Sequence, residues 1–194
     1  MIRFGYACLA LGVAGSGMKA CTMRNATTER LREIISHNLA ALMRLVQYNQ
    51  GSKIPIFRIS SDLIPFGSSP VNTLRWQDEF SDRFEEIGQS IIKASLRVSM
   101  HPGQYTVINS PNEDVVNRAI ADLEYHAQVL ELLQTNDASK LILHIGGAYG
   151  DKASSMARFF RNWARLSDRV RRRIVLENDD HIYNISDVLH IAEH

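Results

Sequence analysis

Two histidines and a glutamate follow apolar runs in three successive segments of the sequence. His101 stands in "SMHPGQY", His144 in "KLILHIGG" and Glu177 in "IVLENDD". If each run is a strand of one parallel sheet, the carboxyl ends of the strands bring two imidazoles and a carboxylate together. This mixed set of nitrogen and oxygen ligands suits Mn²⁺, Zn²⁺ or Fe²⁺ better than Ca²⁺. The three residues therefore predict a divalent metal site whose bound water could attack a phosphate or a carbonyl group.

Each of these residues also has an ordinary structural explanation. A lone histidine at a strand end is more often a hydrogen-bonded structural residue than a ligand, and Asn and Asp after Glu177 can cap a helix. Three such residues at equivalent strand ends favour a site, and Glu177 is preferred within its run because it comes first. The remaining histidines are interpreted as surface or packing residues: His37, His126, His181, His190 and His194.

The apolar segments alternate with helical patterns along the chain. Five strands are predicted, in "IRFGYAC", "IPIFRISS", "LRVSMHPG", "KLILHIGG" and "RIVLEND". The first helix is predicted to run from a cap at Thr28 to Gly51, and the later helical stretches span residues 71–95, 112–136, 152–171 and 184–194. The pattern predicts an α/β fold of five βα units in a single domain, residues 1–194.

Two architectures accommodate this alternation. A doubly wound sheet suits five units, but no glycine-rich phosphate loop follows the first strand. A TIM (β/α)8-type barrel gathers all strand ends around one mouth but needs about 250 residues, whereas this chain has 194. By that count the chain is a barrel with only about five of its βα units and an open edge strand. We expect a piece of a longer enzyme, in preference to a shortened relative that buries its edge by dimerising.

The composition is ordinary for a soluble globular protein, with 45% hydrophobic residues, 22% charged residues and a net charge of +1. Apolar runs are shorter than the roughly 20 residues that cross a bilayer, so no membrane is expected. The amino-terminal segment is interpreted as a strand rather than a signal peptide. Cys8 and Cys21 fit a reducing cytoplasm and are too few for a thiolate zinc site.

Two polar segments have open interpretations. The basic run "RVRRR", residues 169–173, is interpreted as a solvated helix end favoured by the helix dipole, in preference to a nucleic-acid patch. The run "RISSD", residues 58–62, ends the second strand. It is compatible with an ion pair between Arg58 and Asp62, or with contacts of Ser60 and Ser61 to backbone or substrate.

Several segments together resemble the UV damage endonuclease family. The resemblance rests on "GYAC", "FRISSDLIPF", "MHPGQY", "LHIGG" and "LENDD", which extend over essentially the whole chain. It implies a TIM barrel related to apurinic endonuclease IV and xylose-isomerase-like enzymes, with a cluster of divalent metals, most commonly Mn²⁺, with Zn²⁺, Mg²⁺ or Fe²⁺ as alternatives. The implied partner is damaged double-stranded DNA. The implied reaction is hydrolytic nicking directly 5′ of cyclobutane pyrimidine dimers and 6-4 photoproducts, which leaves a 3′-hydroxyl, and cleavage at abasic sites.

The resemblance also implies roles for individual residues. Gln104 and Tyr105 match a wedge that enters the duplex at the lesion, held out by the rigid turn of Pro102 and Gly103. Tyr6 matches a residue near the flipped lesion. A lesion that stacks poorly costs less to extrude than an intact pair, and an aromatic ring with an amide can fill the gap. The catalytic metal ligands are implied to be His101, His144 and Glu177, with Glu177 bridging two ions.

The sequence departs from the family pattern at three places. Ser69 stands where the family typically has a metal-binding histidine, and Ala10 stands where it usually has an asparagine. The chain also ends before the family's later metal ligands. Two alternatives to the endonuclease stay open: a catalytically impaired protein that binds damaged DNA, and a sugar isomerase or epimerase of the same barrel superfamily. A cytoplasmic location without an obligate protein partner is expected.

Overall fold

A computed structural model describes residues 2–179 and 181–193 of the chain. Its parallel sheet has the order β1-β2-β3-β4-β5. The strands are Gly5–Ala7, Ile56–Ile59, Arg97–Met100, Lys140–His144 and Ile174–Glu177. Strands that follow one another in sequence are neighbours in the sheet, which is the order of a barrel and not of a doubly wound sheet. The prediction of an α/β, TIM-type partial barrel with five βα units is confirmed.

Helices connect successive strands. They are α1 (Thr28–Gly51), α2 (Trp76–Glu79), α3 (Ser81–Lys93), α4 (Glu113–Leu132), α5 (Lys152–Trp163), α6 (Asp168–Arg171) and α7 (Ile185–Ala192). Two short 3-10 turns lie at Met23–Asn25 and Ser61–Leu63. Within the described residues, no helix is both long enough and apolar enough to span a membrane.

Helix boundaries differ from the sequence prediction most clearly at three points. Thr27, and not Thr28, caps α1, because its side-chain oxygen accepts the Arg30 amide. The helix predicted over residues 71–95 begins at 76 and is interrupted at Phe80, whose φ of −112° and ψ of 15° are not helical. The helix predicted over residues 152–171 divides into α5 and α6, and Ser167 caps the second piece by accepting the Val170 amide.

The two faces of the sheet have different environments, because side chains alternate along a strand. Ser99 and Lys140 are register partners on β3 and β4. His101 and His144 follow them by even steps, and Glu177 is the register partner of His144, so all three belong to the face that lines a barrel interior. Burying each large apolar side chain stabilises the fold by about 1.5–3 kcal/mol. The opposite face packs on the helices through buried residues: Phe57, Ile59, Val98, Met100, Leu141 and Leu143.

Candidate metal centre and adjoining groove

His101, His144 and Glu177 lie together at the carboxyl ends of β3, β4 and β5. His144 and Glu177 are the last residues of their strands, and His101 directly follows β3. Nε2 of His101 lies 2.9 Å from Oε2 of Glu177, and Nε2 of His144 lies 3.8 Å from the same oxygen. One ligand atom from each residue lies within 4.8 Å of the others. A single cation can therefore contact all three side chains.

The hydrogen bonds of His101 indicate that the cluster is suited to binding a cation. Nδ1 lies 2.8 Å from the Pro102 carbonyl oxygen, which can only accept, so Nδ1 carries the hydrogen. In the neutral ring, Nε2 then turns a lone pair toward a carboxylate oxygen. Two acceptors at this distance repel each other unless a proton or a metal ion lies between them. A backbone carbonyl on the far nitrogen is also the usual way to orient a metal-ligating imidazole. The donor set of this cluster fits a divalent cation.

The cluster is open to a substrate. The side chains of His101, His144 and Glu177 are 20%, 35% and 44% exposed, respectively. A metal held by these three groups would keep coordination positions free, as catalytic metal sites do and closed structural sites do not.

The loop after Glu177 is held by the carboxylate of Asp179. Its Oδ1 accepts the amides of His181, at 2.7 Å, and Ile182, and its Oδ2 accepts the Tyr183 amide at 3.1 Å. Burial has the largest single effect on the pKa of Asp179 and raises it, but these amides together outweigh it and hold the pKa below the usual value. The ring of Tyr183 is fully buried. These contacts anchor the chain directly beyond Glu177.

The loop between β3 and α4 combines a fixed backbone with projecting side chains. The Thr106 amide donates to the Gly103 carbonyl at 2.8 Å, and the Thr106 hydroxyl donates to Oδ2 of Asp122 at 2.6 Å. Gln104 is exposed, and Tyr105 is 82% exposed. The predicted wedge residues are therefore exposed, on a loop whose backbone is held by hydrogen bonds.

A groove of about 980 Å³ extends from the wedge loop to His144 of the metal-site cluster. Its lining includes Gln104, Tyr105, His144, Asp122 and His126. We name it the mouth groove. It lies at the carboxyl ends of the strands, where TIM-barrel proteins bind their substrates.

His126 lies in the wall of the mouth groove, and the sequence assigned it no role there. It is buried, its Nδ1 lies 2.7 Å from the Asp122 carbonyl oxygen, and its buried Nε2 has no hydrogen-bond partner within the described residues. Burial lowers the pKa of His126, and the Asp122 carboxylate opposes that effect. A histidine among the apolar residues of "EYHAQVLEL" was the available signal. His194, interpreted in the same group, lies outside the described residues.

Tyr6 lies on the other face of the sheet from the cluster. Its register partner is the buried Phe57, and the two ring centroids are 5.1 Å apart. Its ring also meets Tyr48 of α1 at 6.5 Å, edge to face. Burial raises the pKa of Tyr6, against a smaller lowering effect of Asn49. The structure does not bring Tyr6 to the metal-site cluster, and its contact with a lesion stays a prediction.

The residues at the departures from the family pattern have local structural contacts. Ser69 accepts the Val71 amide through its hydroxyl at 3.3 Å. Ala10 packs against the hydrophobic core. In "RISSD", Ser60 accepts the Asp62 amide at 3.2 Å, and Arg58 forms no ion pair with Asp62 in the part of the chain that the structure describes.

The basic run at residues 169–173 is mostly occupied by ion pairs. Its first arginine bonds two carboxylates of α4, and the pairs are Arg169 with Glu124 and Glu131, Arg171 with Asp168, and Arg172 with Asp137. Arg173 is buried and donates to the carbonyls of Thr135, Asn136 and Ser139. The interpretation as a solvated helix end is therefore wrong for Arg173, because its guanidinium closes the loop between α4 and β4.

The fold and the strand-end cluster define a TIM-barrel-type α/β protein with a candidate metal centre at the barrel mouth. A family profile described as "UV-endonuclease UvdE" matches residues 2–194. The chain therefore belongs to the UV-endonuclease family, as the sequence resemblance predicted.

Individual relatives agree with this assignment. The chain is 40% identical over 191 residues to a UV DNA damage endonuclease of Clostridium perfringens, covering 98% of this chain and 46% of that protein. It is 36% identical over 204 residues to a UV-damage endonuclease of Schizosaccharomyces pombe, covering 98% and 34%, respectively. The crystal structure of SacUVDE matches with a TM-score of 0.95 and 35% identity, covering 100% of this chain and 66% of that chain. The chain spans about half or less of the length of the two curated relatives.

Proposed function

We propose that the chain acts as a metal-dependent UV damage endonuclease, nicking DNA directly 5′ of cyclobutane pyrimidine dimers and 6-4 photoproducts and leaving a 3′-hydroxyl. The observation that carries the proposal is the cluster of His101, His144 and Glu177, whose ligand atoms lie within 4.8 Å of one another. One residue of the cluster, His144, lines the groove that is also lined by Gln104 and Tyr105 of the wedge loop. The relatives named UV DNA damage endonuclease and UV-damage endonuclease support the choice of substrate.

The three side chains of the cluster would hold the metal, with Mn²⁺ as the first choice and Zn²⁺, Mg²⁺ or Fe²⁺ as alternatives. When bound, such an ion supplies charge stabilisation at the phosphate and a water of lowered pKa. Glu177 balances part of the positive charge, and the Pro102 carbonyl keeps the His101 ring turned so that Nε2 faces Glu177. Their partial exposure leaves room for the phosphate beside them.

The wedge loop supplies recognition. The exposed ring of Tyr105 can stack in the place of a displaced base, and the amide of Gln104 can hydrogen-bond the base left unpaired. Opening a damaged pair costs less than opening an intact one, so the same wedge enters damaged DNA preferentially. The hydrogen bond from Thr106 to Asp122 would keep the wedge loop from moving away when its side chains enter the duplex.

A protein that binds damage without cutting is the second candidate, and Ser69 favours it. Its hydroxyl accepts a backbone amide, at a position where the family resemblance implies a metal-binding histidine. A sugar isomerase or epimerase fits less well, because a small-sugar pocket has no use for a tyrosine that is 82% exposed.

A nicking assay separates these functions. An end-labelled duplex with one cyclobutane dimer is incubated with the chain and Mn²⁺, and the product length is read at single-nucleotide resolution. Glu177→Gln and an undamaged duplex are the controls. A cut directly 5′ of the dimer, lost in Glu177→Gln, supports the endonuclease. Selective retention of damaged DNA without a cut would favour the protein that binds damage without cutting. If folded protein neither cuts nor retains damaged DNA, both functions are contradicted.

A further inference from the structure

Tyr149 is an aromatic residue of the mouth groove that the proposed function leaves without a role. It lies in the loop between β4 and α5, and the residue is 48% exposed. Its backbone has a φ of 51°, in the left-handed region that bulky residues rarely adopt. Such outliers persist where the surrounding structure holds them, often at ligand sites. The exposed ring at this position therefore calls for a functional explanation.

The ring of Tyr149 is supported from within the protein. The guanidinium carbon of Arg158 lies over it at 5.6 Å from the centroid, a cation–π arrangement. Arg158 is itself fixed, because its Nε donates to the Asn109 carbonyl at 2.8 Å. The ring also lies against Gly147, where a Cβ would come within 3.1 Å of it. These contacts support the ring from inside the protein, while the residue stays about half exposed and lines the groove.

Arg118 of α4 lines the same groove, and its positive charge has no ion-pair partner among the described residues. It is exposed, and within residues 2–179 and 181–193 its guanidinium makes neither a hydrogen bond nor an ion pair. Three carboxylates also line the groove, those of Asp62, Asp122 and Asp179, and within the described residues none of them forms an ion pair with Arg118. Asp122 accepts the hydroxyls of Ser68 and Thr106, and Asp179 accepts backbone amides. The guanidinium of Arg118 is therefore available to an anion from outside.

We propose that the mouth groove binds an unpaired stretch of a nucleic-acid strand, with Tyr149 stacking on a base and Arg118 pairing with a phosphate. A supported ring on a residue that is about half exposed is suited to stacking on any nucleobase, since every base has a π face. A guanidinium beside it recognises the backbone without regard to sequence. The inference rests on the proposed function and assigns it a second contact with the strand, separate from the wedge of Gln104 and Tyr105.

The test is the binding of a fluorescent oligothymidine of about eight nucleotides, a length within the usual range for single-strand grooves. Tyr149→Leu, which keeps apolar volume but cannot stack, should weaken binding roughly tenfold, and Tyr149→Phe should bind as the wild type does. Arg118→Gln should weaken binding and reduce the slope of log affinity against log salt by about one. Tyr48→Leu is the matched control, because Tyr48 is also partly exposed but lies on α1, outside the groove.

Several results would overturn the inference. They are an absence of binding by the wild type, equal affinity in Tyr149→Leu and the wild type, or an equal loss in Tyr149→Phe and Tyr149→Leu. The nicking assay reads the proposed function separately. A cut 5′ of the dimer together with unchanged oligothymidine binding in Tyr149→Leu would retain the endonuclease and reject the Tyr149 contact. Oligothymidine binding that is weakened in Tyr149→Leu, together with an absence of nicking, would retain the Tyr149 contact and reject the endonuclease.

Discussion

Nε2 of His101 lies 2.9 Å from Oε2 of Glu177, although the two residues are 76 positions apart in the sequence. They belong to the ends of β3 and β5, which have β4 between them. In a flat sheet, strands two apart are separated by about 9.5 Å. Curvature of the sheet toward a barrel brings such side chains together on the inner face. The contact between His101 and Glu177 thus depends on the same curvature that forms the mouth.

The wedge should be separable from the metal site. Changing Gln104 and Tyr105 to Ala removes the groups that would fill the gap in the duplex. We expect the preference for dimer-containing over intact duplex to fall by about 1–3 kcal/mol, the usual effect of losing one stacking contact. Fluorescence anisotropy with the two duplexes measures this preference. Mn²⁺ binding of the double variant should match the wild type, and a loss of metal binding instead would reject the wedge assignment.

Thr106 should contribute more to stability than its size suggests. Its buried hydroxyl donates to the Asp122 carboxylate at 2.6 Å, and valine keeps the shape without the donor. We expect Thr106→Val to lower the free energy of unfolding by about 1.5–3 kcal/mol, the range for hydrogen bonds to charged groups. Urea unfolding measures it. Ser68→Ala removes a longer bond, 3.2 Å, to the same carboxylate and should cost less. The reverse order would contradict the assignment.

His126 should make the fold sensitive to mild acid. Burial lowers the pKa of His126 in the folded chain below its ordinary value of about 6.5. As the pH falls below about 6.5, His126 becomes protonated in the unfolded chain but stays neutral in the folded chain. The free energy of unfolding therefore declines. The contribution is complete above about pH 6.5 and is lost as the pH falls toward the folded pKa.

The matching variant is His126→Gln, which removes the titrating ring. Urea unfolding of metal-free protein between about pH 7.5 and pH 5.5 should show a smaller loss of stability in the variant than in the wild type. Parallel curves for the two proteins would show that another group is responsible.

Two glycines in helices should respond in opposite ways to the same substitution. At Gly88 of α3 a Cβ would lie 2.4 Å from the Leu133 carbonyl oxygen, whereas at Gly51 of α1 a Cβ would meet no atom of the described residues within 4 Å beyond its chain neighbours and the backbone of its own helix. Gly88→Ala should destabilise the fold by about 1–3 kcal/mol through overpacking. Gly51→Ala should stabilise it by up to about 1 kcal/mol through the unfolded state. Thermal unfolding measures both, and a stabilising Gly88→Ala would mean that α3 and α4 pack less closely than described.

The alternation of strands and helices was enough to predict the five units and the meeting of His101, His144 and Glu177. Strand ends of a parallel sheet converge whatever the details of packing, so that inference needed only the element order. Predicting which face of the sheet Tyr6 occupies would also have required the strand register, because a shift of one residue moves a side chain to the other face. Its pairing with the buried Phe57 supplies that register.

The sequence pattern did not predict the structural positions of Tyr149, His126 and Arg173. The left-handed φ of Tyr149 depends on the three-dimensional path of its loop, and a tyrosine gives no local signal for it. His126 and Arg173 are buried polar residues whose partners are backbone carbonyls. Burial of such groups is decided by tertiary contacts, so the sequence left His126 as a surface or packing residue and placed Arg173 at a solvated helix end.

The most direct test of the account is a Mn²⁺ titration followed by the electron paramagnetic resonance signal of the free ion. The wild-type chain should remove the signal by binding. Glu177→Gln should bind at least about 10- to 100-fold more weakly, because even outer partners of a metal site contribute that much to affinity. Glu85→Gln, which changes an exposed carboxylate of α3 outside the cluster, should bind as the wild type does. Equal affinity in Glu177→Gln and the wild type would contradict a metal centre built on His101, His144 and Glu177.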